Sequence, residues 1–301
     1  MNNQYKIILR RLIYFSLLLF STAHAVCSVR DDAGNIVKLN HPATRLISLA
    51  PDITETLFAI GAGPQVLAVI RGSDYPASAQ SLPRIGSYAS IDIEKIVSLK
   101  PDLIITWDRM FARDLAILQK MGVPVYVNKP VRVEDVPRSM RNFGCLTGRQ
   151  ASADKAAQQF VLQLMSLRKH YQSLRTVNVF YQIGPYSLMT VSRQSWINQA
   201  IEVCGGKNIF AYAPAIAAEV SMESVITAQP EVIIAASADD NWQQVWQAFP
   251  SLIAVRERLL FTIPPDLINR AGPRLITGIA TICSNIDLSR QKIAYLAGNR
   301  R

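Results

Sequence analysis

The chain is 301 residues long, 50% hydrophobic, with 32 Lys and Arg against 22 Asp and Glu and a formal net charge of +10. That is ample apolar material for two domains of ordinary size. The positive charge is spread thinly, without a long basic run or interleaved aromatics, which excludes nucleic acid as the expected partner, and 3 histidines are too few for an imidazole-rich metal carrier.

At the N-terminus Lys6, Arg10 and Arg11 precede the apolar stretch from Leu12 to Phe20 and then Ala23-His24-Ala25. A charged start, a short apolar core and an A-x-A site are the marks of a cleavable secretory signal peptide; the core is much shorter than the ~20 apolar residues that span a bilayer. Residues 1–25 are therefore expected to be removed, leaving a soluble monomer from Val26 in the periplasm. Losing those three basic residues and no acidic one leaves a net charge of about +7, a basic surface suited to lingering near anionic membrane. Bulky Val26 directly before Cys27 argues against a lipid anchor on that cysteine. All four cysteines, Cys27, Cys145, Cys204 and Cys283, fall in the exported part, and no C-x-x-C or Cys/His cluster points to metal or redox chemistry. Two structural disulfides are expected. Pairing within each half, Cys27 with Cys145 and Cys204 with Cys283, suits a two-lobed chain best, although spacing alone leaves every pairing open.

The first half opens with a strand, Arg45 to Leu49, that runs through Pro51 and Asp52 into the helix ITETLFAIGAG, closed by Gly61 and Gly63. Next comes the most informative phrase of the chain. Residues 93–105, IEKIVSLKPDLII, return 129 positions later as MESVITAQPEVII at 222–234. Each copy reads as a helix stopped by a proline, Pro101 or Pro230, followed by an apolar strand of the kind buried on both faces of a parallel sheet. Asp92 and Ser221 stand at the capping positions, and Glu94 and Glu223 follow in the first turn, where the helix dipole favours a carboxylate by roughly 0.3–1 kcal/mol. Helix stability alone explains each glutamate; two lobes would also present them at matching places.

Between the copies, from Gln150 to about Leu174, runs a segment without Gly or Pro and with Phe160, Leu162, Leu164, Met165, Leu167 and Tyr171 at mostly helical spacing. At 1.5 Å per residue it predicts a strut of ~37 Å; its heptads are too irregular for a coiled-coil arm. Thr176 to Ile183 then opens the second half. The expected architecture is two Rossmann-like α/β lobes with parallel sheets, residues 26–148 and 175–301, joined by one long rigid helix at 149–174.

Ligands of open parallel sheets bind beyond the carboxyl ends of the strands. Those ends carry Ser48 to Asp52, Gly72 to Tyr75, Trp107 and Asp108 in the first half, and Tyr186 to Met189 with Pro264 to Arg274 in the second. Catalytic machinery is missing from them. His41 and His170 are the histidines left after the leader, so Ser-His-Asp, Cys-His and H-E-x-x-H sites lack parts, and no P-loop or G-x-G-x-x-G occurs. A non-enzymatic chain without a cofactor is expected, and a secreted α/β hydrolase is the weakest reading. What the loops offer is a surface for a large flat ligand: Tyr75, Tyr88 and Trp107 on one side, Tyr186, Met189 and Trp196 on the other. About half of these would be core in an ordinary protein. Asp266 and Arg270, four apart, are placed to pair on one helical face or to bond ligand amides or phosphate.

RLISLAPDITETLFAIGAG, GSDYP, IEKIVSLKPDLIITW, NQAIEVCGGKNIF, EVSMESVI and PPDLINRAGPRL together resemble the cobalamin-binding branch of the class III substrate-binding proteins of ABC importers, from about Arg45 to Ile286. The resemblance implies two α/β lobes on a rigid helix with a corrinoid, vitamin B12 or cobinamide, carried in the cleft as transported ligand and with little hinge closure. It implies that Glu94 and Glu223 dock on arginines of an inner-membrane ABC permease dimer, which works with its ATPase subunits. It assigns ligand contact to Tyr88, Trp107, Asp266 and Arg270, and a disulfide to Cys204 with Cys283. Gly72, Met189 and Ala217 stand where the branch has aromatics, with Tyr186 or Tyr212 near enough to compensate; Met packs against flat apolar faces. The alternative keeps the fold and changes the ligand to haem or to a ferric siderophore, for which Arg71, Arg109, Arg193 and Arg270 would supply charge.

Overall fold

The computed structural model describes residues 27–108, 110–185 and 188–299. The leader, Tyr186 and Arg109 lie outside them. Described elements run in chain order as β1 (Cys27–Arg30), β2 (Ile36–Leu39), β3 (Leu46–Ser48), α1 (Pro51–Ala59), β4 (Val66–Val69), α2 (Ile93–Ser98), β5 (Leu103–Trp107), α3 (Ala112–Lys120), β6 (Val125–Asn128), α4 (Asp135–Thr147) and α5 (Gln150–Tyr171). They continue as β7 (Val177–Ile183), β8 (Met189–Val191), α6 (Trp196–Val203), β9 (Gly206–Asn208), β10 (Ala217–Glu219), α7 (Met222–Ala228), β11 (Val232–Ala236), α8 (Ile253–Arg256), β12 (Leu260–Ile263), α9 (Pro265–Ile268) and α10 (Leu275–Gly298).

Two sheets carry the fold. The first is wholly parallel in the order β4-β3-β5-β6, and the second runs β10-β8-β7-β11-β12, with β9 also paired to β7. The β7, β9, β11 and β12 pairings are parallel, as the apolar runs predict; β8 and β10 add an antiparallel edge. That edge was not expected, because three-residue strands show no readable alternation. A separate β1-β2 hairpin lies ahead of the first sheet.

Both sheets are covered on both faces, which is why their strands are continuously apolar. Leu103 and Ile105 of β5, with Val232 and Ile234 of β11, join one large apolar cluster that runs through both halves of the chain. The intervening Ile104 and Ile233 point to two smaller clusters on the outer faces. Helix α5 contributes Ala153, Ala157, Phe160 and Leu164 to the shared cluster, a single stripe at helical spacing. Burying Phe160 or Leu164 is worth roughly 1.5–3 kcal/mol each. The helix has 22 residues, so it is about 33 Å long and ends before the expected Leu174, while Leu162 and Met165, counted in its apolar pattern, face solvent.

Cys27 bonds Cys145 and Cys204 bonds Cys283, the pairing within each half. One ties the first hairpin to α4 and the other ties the end of α6 to α10. Among the described residues no helix is long and apolar enough to cross a membrane.

Candidate functional site

A cavity of about 150 Å³ opens where the carboxyl ends of both sheets face each other. From the first half it is lined by Ala50, Asp52, Tyr88 and Trp107, and from the second by Trp196, Asn269, Arg270 and Ala271. A larger hollow of about 510 Å³ lies on the second half alone, beside Met222 and Trp242, and its lining has no titratable group. The smaller one is the place where strand ends, aromatics and charges converge.

Each lining side chain is set by its element. Trp107 ends β5, one of the two inner strands of the first sheet. Tyr88 sits on a tight loop in which Ser87 N–H donates to Ser90 O at 2.9 Å, and Gly86 and Ile91 bridge beneath it. Gly86 has φ +149°, and a Cβ there would run into the Ser90 carbonyl, so only glycine closes this loop. The Tyr88 side chain is left 57% exposed, and burial, followed by the nearby Asp52 carboxyl, raises its phenol pKa. Trp196 follows the Ser195 cap of α6 and donates its indole N–H to Ile268 O at 2.9 Å, which holds the ring edge-on to the loop before α10. Tyr181 O–H donates to the Asn269 side chain at 3.3 Å from beneath.

Charges concentrate under this loop. Glu55, 2% exposed on α1, accepts from Arg274 Nε at 2.8 Å and Nη2 at 2.7 Å and from Arg270 Nη1 at 2.9 Å. Arg270 also meets Asp74 at 3.1 Å and Asp266 at 2.7 Å and donates to Gly72 O at 3.3 Å. Burial works against the Arg270 cation, but hydrogen bonds to Glu55 and Asp74 more than offset it and hold its pKa above the ordinary value. The Arg274 guanidinium, raised first by its Glu55 hydrogen bonds, lies 3.9 Å from the centre of the Tyr75 ring. Gly272 packs on the backbone of Asp52. The loop of one half is thus bound to the first helix of the other by three carboxyls and two guanidinium groups, with Asp52 beside them as a fourth, unpaired acid.

Asp52 stands apart from its neighbours. It is 8% exposed, faces the cavity, and receives no hydrogen bond from another side chain among the described residues. Burial pushes its carboxyl up to about 7, against the lowering pull of its own helix-turn amides.

Of the residues expected to meet a ligand, Tyr88, Trp107 and Arg270 come together in the cavity wall. Asp266 is committed to Arg270, Tyr75 to Arg274, and Met189 lies in the antiparallel edge paired with Glu219; none of the three lines the cavity. Among the arginines considered for a siderophore, Arg71 is exposed and Arg193 lies over the Tyr212 ring, away from the lining. Asp52 and Glu55 were missed as site residues. The signal was two acids three apart on a helix otherwise uncharged and largely buried, Asp52 and Glu55 in PDITETLF.

Glu94 and Glu223 are exposed, each two positions after its cap, and neither takes part in an ion pair among the described residues. Asp92 Oδ1 accepts from Lys95 N–H at 2.9 Å and Ser221 Oγ from Ser224 N–H at 3.1 Å.

The arrangement defines a class, a two-sheet α/β binding protein with its cavity between facing strand ends. The family model described as periplasmic binding protein matches residues 46–267, so the chain belongs to the periplasmic binding protein family. The Vitamin B12-binding protein of Vibrio parahaemolyticus is 34% identical over 263 residues, 86% of this chain and 94% of that one. The crystal structure of the periplasmic vitamin B12 binding protein BtuF of Vibrio cholerae superposes with a TM-score of 0.75 at 33% identity, over 82% of this chain and 98% of that one. The periplasmic heme-binding protein RhuT from Roseiflexus, with a TM-score of 0.71 at 23% identity over 82% of this chain and 99% of that one, shares the fold.

Proposed function

We propose that this chain is the substrate-binding protein of an ABC importer, exported by residues 1–25 to the periplasm, where it captures a corrinoid and delivers it to an inner-membrane permease without catalysing a reaction. The observation that carries the reading is the cavity wall. Trp107, Tyr88 and Trp196 offer apolar faces from two sides at the strand ends, in a chain similar over most of its length to proteins named for vitamin B12 binding. A corrin is larger than the enclosed 150 Å³, so the ligand rests across the mouth and uses the exposed rings of Tyr88 and Tyr75 as well as the floor.

In this reading residues 26–148 and 175–301 act as two lobes on the helix at 149–174. The core shared through α5 and the Glu55 cluster resists wide opening, in keeping with a cleft that closes little. Glu94 and Glu223 are free carboxylates for arginines of a dimeric permease.

Titration calorimetry of the purified protein with cyanocobalamin, cobinamide and haem tests the ligand. Saturable 1:1 binding of either corrinoid is the expected result; haem binding with silence from both corrinoids would overturn it. Docking is tested separately. Glu94→Arg and Glu223→Arg are expected to abolish uptake while leaving corrinoid affinity within about two-fold, because exposed charges away from a pocket contribute little to its affinity. A large loss of affinity instead would move these residues into the pocket.

A further inference from the structure

We infer that Asp52 sets the charge class of the ligand, admitting neutral or cationic corrinoids whose rim bears amides and excluding corrinoids or porphyrins whose rim bears carboxylates. The inference rests on the corrinoid reading and narrows it. Its first ground is geometric: Asp52 is more than nine-tenths buried, it lines the cavity, and no other described side chain donates to it. Backbone amides of its own helix turn approach it, but no side chain competes with a ligand for the face it turns to the cavity.

The second ground is the charge balance around it. On its own helix Asp52 faces Glu55, and from the loop packed against it come Arg270, Arg274 and Asp266. Asp74 reaches the same guanidinium from the β4 side, and Tyr88 adds a neutral phenol. Both guanidinium groups are already held by Glu55, and Arg270 by two further carboxylates. An incoming carboxylate therefore finds no free cation. It finds a cluster in which carboxyl groups outnumber guanidinium groups, with the acid that no side chain pairs lining the cavity.

An amide satisfies Asp52 in either protonation state, since it offers both an N–H and a C=O. A carboxylate can accept from the protonated acid but is repelled by the ionised one. Because burial places the Asp52 titration near neutrality, the discrimination has a sign. It is weak at pH 5.5, where Asp52 keeps its proton, and strong at pH 8.5, where the proton is lost.

Calorimetric affinities of the full chain for cobinamide and for cobyrinic acid, whose rim amides are carboxylates, test this at both pH values in the wild type, Asp52→Asn and Asp52→Ala. In the wild type the preference for cobinamide should grow about ten-fold or more from pH 5.5 to 8.5, the scale of one close like-charge contact. Both variants should lose that growth, with thermal melting curves confirming that they fold. A preference that rises equally in the variants, or does not change with pH in the wild type, overturns the role of Asp52 and leaves corrinoid capture standing. Binding of neither corrinoid at either pH overturns the functional reading itself.

Discussion

The two helix-proline-strand copies invite comparison residue by residue. From Ile93 to Thr106 and from Met222 to Ala235 the alternation of exposed, half-buried and buried positions is identical, so both copies are seated in their halves in the same way. Both copies hold the residue before the proline, Lys100 or Gln229, at φ +47°, and both use the acid after it to fasten the start of the neighbouring strand in the sheet, β3 or β7. Asp102 accepts from Arg45 N–H at 2.9 Å, and Glu231 accepts from Asn178 N–H at 2.8 Å. The copies part only at the final strand residue, where the half-buried Trp107 reaches the cavity and the buried Ala236 does not. The helix ends, with Glu94 and Glu223, stayed equivalent, as docking on a dimer would need. The strand ends diverged, as the wrapping of one asymmetric ligand would need. The second half lines the cavity with Asn269, Arg270 and Ala271 of the loop before α10 instead.

The largest way to break this asymmetry is at Glu55, which binds that loop to the first half. Glu55→Gln leaves Arg270 and Arg274 facing a neutral amide in a buried place and should cost about 3–5 kcal/mol in urea unfolding. The exposed Glu223→Gln is the control and should stay within about 0.5 kcal/mol. Equal effects would mean that the cluster is no interlobe fastening. Next in size is Trp107→Ala, expected to weaken corrinoid binding by roughly 1–3 kcal/mol with the fold intact. Unchanged affinity would return Trp107 to the core and erase the difference between the strand ends.

The copies were legible because each joins signals that act locally: a cap, a proline and an apolar run of strand length. Trp107 was legible as a cavity residue because strand ends face the ligand side in this topology; Tyr88 was legible as a loop aromatic, and the resemblance pointed to both positions. Asp52 was not, since an acid in a first helical turn has a sufficient local explanation in the dipole, and Glu55 was not, since one acid further along a helix reads as an ordinary surface position. The role of Glu55 depends on Arg270 and Arg274, more than two hundred residues away, and that of Asp52 on the cavity the same loop closes. Asp266 shows the converse: the spacing to Arg270 was readable, but the extra partners that commit Arg270 to Glu55 and Asp74 were not. The β8–β10 edge was hidden for a different reason, strands too short to carry a pattern.

The smallest prediction tests how deep the equivalence of the copies goes. Asp92→Ala and Ser221→Ala each remove one side-chain cap and should each cost about 1 kcal/mol. The costs should separate with salt. Asp92 brings a charge to a helix end that already holds Glu94, so its net contribution combines dipole attraction with carboxylate repulsion, both of which screening weakens. Ser221 is neutral, so its contribution should be the same at low and high ionic strength. The first copy has a further tie, from Lys95 Nζ to Arg84 O at 2.9 Å, which survives loss of the cap. Should Ser221→Ala cost nothing in denaturant unfolding while Asp92→Ala costs its full share, α7 would be held by its packing, Val225 with Met222 and Ile226, and not by its cap. The two glutamates would then share a geometry without sharing the forces that maintain it, and the second copy would be the more tolerant of change at its docking end.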